Sequence, residues 1–182
     1  MHPNKQMFFG SFFQKRTASL FCLIVVRTLP LPYGPASATA PIKIAVFDFE
    51  LDDFSAGAGI AGDHHADLAQ LDRVTNDVRQ LLAASGRYQL VSVSSAQDDA
   101  VKGRWLRQCN GCDAAIARKL GAAQSFVGVV TRISRTDYTV QFQIRDTATG
   151  AVVIGRQSGL RIGADYSWNR GAAALIKDDL LN

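Results

Sequence analysis

Between residues 42 and 49 the chain reads IKIAVFDF, apolar at nearly every position. That run predicts a strand covered on both faces, and therefore central in its sheet. From 64 to 85 the period changes: Leu68, Leu71, Val74, Val78, Leu81 and Leu82 recur at spacings of three and four, the buried stripe of one long helix. Gly86 marks its end, and YQLVSV over 88–93 predicts a second strand. Residues 50–63 mix acids with Gly57, Gly59 and Gly62 and are expected to form a mobile loop. The polar stretch 94–108 predicts a short helix that brings Trp105 and Leu106 against the body. Good helix formers over 113–120 (DAAIARKL) predict another helix, beginning at the cysteines and stopping at Gly121.

The last third changes character. Residues 125–134 are apolar, while Tyr138, Val140, Phe142 and Ile144 alternate with Thr139, Gln141, Gln143 and Arg145, a strand with one dry and one wet face. DTATG at 146–150 supplies a turn, and 151–162 returns as a third strand of an antiparallel meander. Tyr166, Trp168, Leu175, Ile176 and Leu180 predict a terminal helix laid on the sheet. The pattern as a whole defines an α/β class: a single domain, a mixed sheet of about five strands with an antiparallel C-terminal meander, and three main helices.

What precedes residue 42 belongs to a different pattern. Residues 1–40 hold four bases (Lys5, Lys15, Arg16, Arg27), no acid, a short apolar stretch over 18–26 and a final Ala38-Thr39-Ala40. This is the layout of a secretory signal peptide cleaved after Ala40, which leaves 41–182 as the α/β domain and places it in the periplasm or outside the cell. Met7 is a second candidate start, which leaves the mature chain unchanged. An uncleaved anchor is disfavoured because the apolar run is shorter than the roughly 20 residues of a span and is followed by Pro30, Pro32 and Pro35. A lipoprotein reading at Cys22 meets Phe21 where processing needs a small residue.

Composition changes meaning once the leader is removed. The full chain has 20 basic and 16 acidic residues and a pI near 9. Since all four excess bases lie in the leader, the mature chain is close to neutral and its arginines form no run that would track phosphates. Nucleic acid is therefore not an expected partner.

Export also decides how the cysteines are read. Cys109 and Cys112, in CNGC ahead of a helix, are expected to be a disulfide in an oxidising compartment. The competing use is thiol–disulfide exchange, favoured by a helix-start position that lowers a thiol pKa but lacking the buried strand that a thioredoxin-like site places before the pair. Asp113 stands where covalent haem attachment needs His. Zinc on the two sulfurs with His64 and His65 is disfavoured because adjacent histidines diverge, and no metal site is assigned.

Two other groups of residues are candidates for a binding role. Asp48, Glu50, Asp52 and Asp53 follow the first strand, where open α/β sheets place ligand crevices, and form a candidate ligand or partner loop. Phosphotransfer of the haloacid-dehalogenase type needs Asp-x-Asp, whereas here the second acid is Glu50 and no matching downstream Lys is evident. The oxygens suit a hard cation, but their spacing matches no known loop. Trp168 and Arg170, with Arg156 and Arg161, form a candidate partner surface; the bland role for Trp168 is to anchor its helix. Nucleophilic triads find no support, since the mature chain has no histidine besides the adjacent pair and no Gly-x-Ser-x-Gly elbow.

The segments KIAVFDFEL, LLAASGRYQLV, CNGCDAAIARKLGAA, IRDTATGAVV and SWNRG, in that order, resemble a family of small exported proteobacterial proteins with no assigned function. More distantly the chain is similar to the N-terminal domain of the Tol-system translocation protein and to curli-secretion lipoproteins. The resemblance implies a periplasmic α/β module that binds partners and supplies no catalytic residues to carry over; no cofactor is expected. The closer family is associated with gene clusters for methanol oxidation by quinoprotein dehydrogenases. The resulting expectation is a non-catalytic accessory or binding protein of an envelope or periplasmic oxidation system, with no membrane span after cleavage. The alternative is a periplasmic thiol–disulfide protein using Cys109 and Cys112.

Overall fold

The computed structural model of the chain describes residues 40–55, 64–134, 136–161 and 166–182. The apolar run forms β1 (Ile42–Val46), and the chain continues through a break into β2 (Glu50–Asp53). After α1 (His64–Ala84) comes β3 (Tyr88–Val91), parallel to β1. A short α2 (Asp99–Lys102), a 3-10 turn (Leu106–Gln108) and α3 (Cys112–Lys119) then lead into β4 (Gln124–Arg132), parallel to β1 on its other side. β5 (Asp137–Asp146) and β6 (Val152–Arg161) add the antiparallel meander, giving the order β3-β1-β4-β5-β6 with β2 also on β4. The chain closes with α4 (Tyr166–Ile176) and a π-helical turn (Lys177–Leu181). The expected α/β class, mixed sheet and C-terminal meander are all present.

Helices lie on both faces, and each face has its own core. Under α1 and α4 sit Ile44, Val46, Phe49, Phe126, Phe142, Ile144 and Trp168, with Phe126 stacked on Phe142 at 5.2 Å between ring centres. On the opposite face Ala45, Phe47, Val127 and Val129 pack against Leu106, Ile116 and Ala117. Both predicted helix stops hold, since Gly86 (φ 68°) and Gly121 (φ 82°) take the left-handed conformation that ends a helix.

The break between β1 and β2 is a one-residue bulge. Val46 lies opposite Phe126 and Glu50 opposite Val129, so Phe47, Asp48 and Phe49 face only Val127 and Gly128. An extra residue reverses the side-chain alternation beyond it. Phe49 therefore falls on the α1 face, over Gly128, where a Cβ would meet its ring at 2.3 Å, and Glu50 turns to the opposite face.

A bulge also frees backbone groups from the ladder, and α1 supplies their partners. Thr75 Oγ1 accepts the Phe49 N–H at 2.9 Å while donating to the Leu71 carbonyl at 2.8 Å, and Arg79, one turn on, donates to the Val46 carbonyl at 2.7 Å. Thr75→Val keeps the volume and strands the Phe49 N–H; the expected cost is about 1–3 kcal/mol in a urea denaturation experiment.

Two expectations are corrected. Residues 50–53 are strand and not loop: their acids are uncommon in strands but are held by arginines from two neighbouring segments, Arg107 of the 3-10 turn and Arg132 of β4, and their backbone pairs with β4. Residues 56–63, with Gly57, Gly59 and Gly62, lie outside the described residues. Of the pair expected against the body, Leu106 is buried, but Trp105 is exposed. Its indole instead covers Gly103, where any Cβ would meet it at 2.5 Å.

Candidate functional site

All four acids of the candidate loop come together with arginines. Asp48 takes Arg79 at 2.9 Å and Arg104 at 3.5 Å. Arg107 reaches Glu50 at 3.0 Å and Asp52 at 3.2 Å, and Arg132 joins Asp53 at 2.9 Å to Asp67 of α1 at 2.6 Å. Arg104 also pairs with Asp72. The carboxylates from Asp48 to Asp53 are thus matched by guanidiniums from α1, β4 and the segment around the 3-10 turn. Arg79, Arg104, Arg107 and Arg132 had no signal in the sequence beyond their charge, because their partners lie 31 to 79 positions away in the chain.

Glu50 is the most constrained member. Its side chain is 0% exposed and accepts the backbone N–H groups of Leu106 and Arg107 as well as the Arg107 guanidinium. It therefore caps the 3-10 turn and ties it to β2. A carboxylate whose oxygens are filled in this way is poorly placed to attack a phosphoryl group or to shuttle a proton.

At Asp53 burial alone would raise the carboxyl pKa, but hydrogen bonds from Ser55 and Arg132 outweigh it, and the net shift is downward. At Arg132 burial likewise opposes the charge, and the hydrogen bonds to Asp67 and Asp53 reverse this and raise its pKa. A depressed carboxyl contributes stability that is present above its unfolded value of about 4 and is lost as pH falls through the folded value. Asp53→Asn should therefore lower the urea midpoint at pH 7, and the gap from the parent should narrow below about pH 4.

The cysteines stand where the sequence places them. Cys112 opens α3, Gly111 precedes it at φ 103°, and the Cα atoms of Cys109 and Cys112 are 5.6 Å apart, within disulfide range. Both are half-buried against the Phe47 core. Closing so short a loop removes about 2 kcal/mol of unfolded-state freedom, so the double Cys→Ser variant should lose about that much by urea titration and still fold.

Trp168 is corrected as a surface residue. It is 1% exposed, its ring 5.7 Å from that of Tyr138, with the Arg132 guanidinium 5.7 Å from its centre. It anchors α4, because an indole on the sheet-facing side of a helix gains more from burial than from solvent. Arg170 and Arg156 are exposed, and the Arg161 side chain lies outside the described residues. Among the described residues no group of three or more His, Cys, Asp or Glu is placed to hold a metal ion, and no helix is long and apolar enough to cross a membrane.

One surface had no marker in the sequence. On the second face of β5 and β6, beside the 3-10 turn, a groove of about 420 Å³ is lined by Arg107, Val129, Gln141, Gln143, Arg156 and Gln157 among others, with no carboxylate in its walls. Its rim is β6, an edge strand, and no described strand pairs with the outer side of β6. The strand begins with a bulge between Ile144 and Arg145 of the register, and there Val152 and Val153 are 47% and 49% exposed.

These features define a two-sided α/β sheet domain with an open sheet edge at β6 and a groove beside it. The chain belongs to the DUF3280 family, described as protein of unknown function (DUF2380), whose model matches residues 42–180. A search of curated proteins finds no match. Among solved structures the chain is similar to the LpoB C-terminal domain from Salmonella enterica, at 19% identity and a TM-score of 0.46, over 69% of this chain and 87% of that one. Lipoprotein GNA1162 from Neisseria meningitidis is 11% identical with a TM-score of 0.46, over 77% and 99% of the two chains. TolB from Acinetobacter baumannii is 17% identical with a TM-score of 0.40, over 74% of this chain and 26% of that one.

Proposed function

We propose that the chain is an exported, non-catalytic binding protein of the periplasm or envelope, an accessory that docks a protein partner along β6. The observation that carries the reading is the ten-residue edge strand with half-exposed Val152 and Val153, contiguous with a groove that holds two arginines and no acid. An edge strand offers a row of backbone donors and acceptors, and natural domains block such edges with charge, proline or cover when nothing is meant to pair there. Here the described strand has no proline and no acid, and Arg156 is its one charge before Arg161. An extended segment with apolar residues for the valines and a carboxylate for Arg156 fits this surface, by strand addition.

Export is supported by the leader pattern and by β1 beginning at Ile42, two residues beyond the proposed cleavage point. The accessory role is supported by the array, in which every acid of the candidate loop is already engaged. A structural role for the Cys109–Cys112 disulfide is part of the same reading, resting on its half-buried position against the second core.

Affinity capture from periplasm tests the proposal when run with two variants, Val152→Lys/Val153→Lys and Arg156→Glu. A partner held by the parent and lost by both variants, each with an unaltered circular dichroism spectrum, is the expected result. A partner retained by both, or none returned reproducibly by the parent, contradicts the reading. For the disulfide, a reduction potential near or below about −300 mV is expected, and rapid exchange with glutathione would favour a redox role.

A further inference from the structure

A second cavity, of about 730 Å³, opens where β1 and β3 end, bounded by α1 on one side and by α2 and its following turn on the other. Its walls divide by chemistry. Val46, Leu90, Val91, Val93, Ala96 and Val101 supply an apolar interior, while Arg79, Lys102 and Arg104 bring three cations against one carboxylate, Asp48. Ser92 and Ser94 add hydroxyls, 2.8 Å apart. The carboxyl ends of parallel strands are where sheets of this kind leave ligand crevices, and the volume lies in the range of small-molecule sites.

Arg104 stands out within this crevice. Its backbone is at φ 53°, a left-handed conformation that non-glycine side chains rarely adopt. Such a conformation persists where surrounding structure over-determines it, and it clusters at functional positions. What holds it here is the turn closing α2, where the Arg104 N–H bonds the Val101 carbonyl at 3.2 Å and the Trp105 indole seals Gly103. The consequence is a guanidinium that lines the crevice and is held between Asp48 and Asp72. Lys102 lines the same wall and makes no ion pair among the described residues.

We propose that this crevice binds a small organic acid, with an apolar body against the valines and a carboxylate received by Arg104 and Lys102. A guanidinium fork and an ammonium suit a carboxylate, and the apolar walls select against a bare inorganic anion, which would leave them wet. The site does not touch β6, so it stands or falls independently of partner docking.

The test is a heteronuclear NMR titration of the exported chain with octanoate, benzoate, acetate and inorganic phosphate. Octanoate or benzoate should give saturable shifts centred on Ser92, Ser94 and Lys102, with acetate and phosphate at least about tenfold weaker. Lys102→Met, at an exposed position with no ion pair, should weaken binding about tenfold with an otherwise unchanged spectrum, and Arg104→Gln should weaken it further. Three results overturn the proposal: no saturable shift with either longer acid through about 10 mM, equal affinity in folded Lys102→Met, or phosphate binding as tightly as the organic acids.

Discussion

Replacing Glu50 with Leu should cost this protein about 3–5 kcal/mol, the largest loss expected of any substitution in the array. Its carboxylate is wholly enclosed and serves three donors, two of them backbone N–H groups that nothing else satisfies. Removing it leaves the Arg107 charge in a largely dry place with only the more exposed Asp52 as counter-ion, and it detaches the 3-10 turn from β2. Glu50→Gln retains one acceptor and should cost less, about 2 kcal/mol. Adding Arg107→Leu to Glu50→Leu should recover part of the loss, since an apolar pair is no longer an unpaired charge, but the orphaned N–H groups limit the recovery. Urea denaturation of the three variants decides the matter; a Glu50→Leu cost under about 1 kcal/mol would mean that the carboxylate is not the tie described here.

Trp168→Ala should be nearly as damaging, at about 3–5 kcal/mol, because a fully buried indole leaves a cavity between α4 and the sheet. The loss also removes a face from Arg132, which the indole shares with Tyr138. Trp168→Phe separates volume from chemistry. The indole N–H is buried without a partner, so no hydrogen bond is lost with it and the cost should stay under about 1.5 kcal/mol. The chain has two tryptophans, and with Trp105 exposed the blue-shifted emission of the folded protein should come from Trp168 and disappear in both variants.

Most of the fold is legible in the chain because its signals are local. The strict alternation from Tyr138 to Ile144 becomes one face of β5, and the stripe from Leu71 to Leu82 becomes the buried side of α1. The bulge is not legible. It turns on one extra residue in IKIAVFDFEL, and its partners Thr75 and Arg79 read as polar interruptions of a helix until the backbone groups they satisfy are seen. The acids misled for a related reason. Carboxylates after a strand look like a solvated loop, and nothing nearby in sequence announces the arginines that draw Glu50–Asp53 into the sheet. The cysteine pair was readable since its geometry depends on a span of only three residues of chain. The groove beside β6 was invisible because its lining comes from β4, β5, β6 and Arg107 together.

Docking along β6 can be read residue by residue from amide hydrogen exchange. The exported chain, alone and with its captured partner, would be followed residue by residue across the sheet. Amides on the outer side of β6, from Ile154 to Leu160, should exchange fast in the free chain and become protected in the complex, while those of β3 at the other edge stay unchanged. Protection confined to β3 or the helices, with β6 exchanging as in the free chain, would contradict docking there.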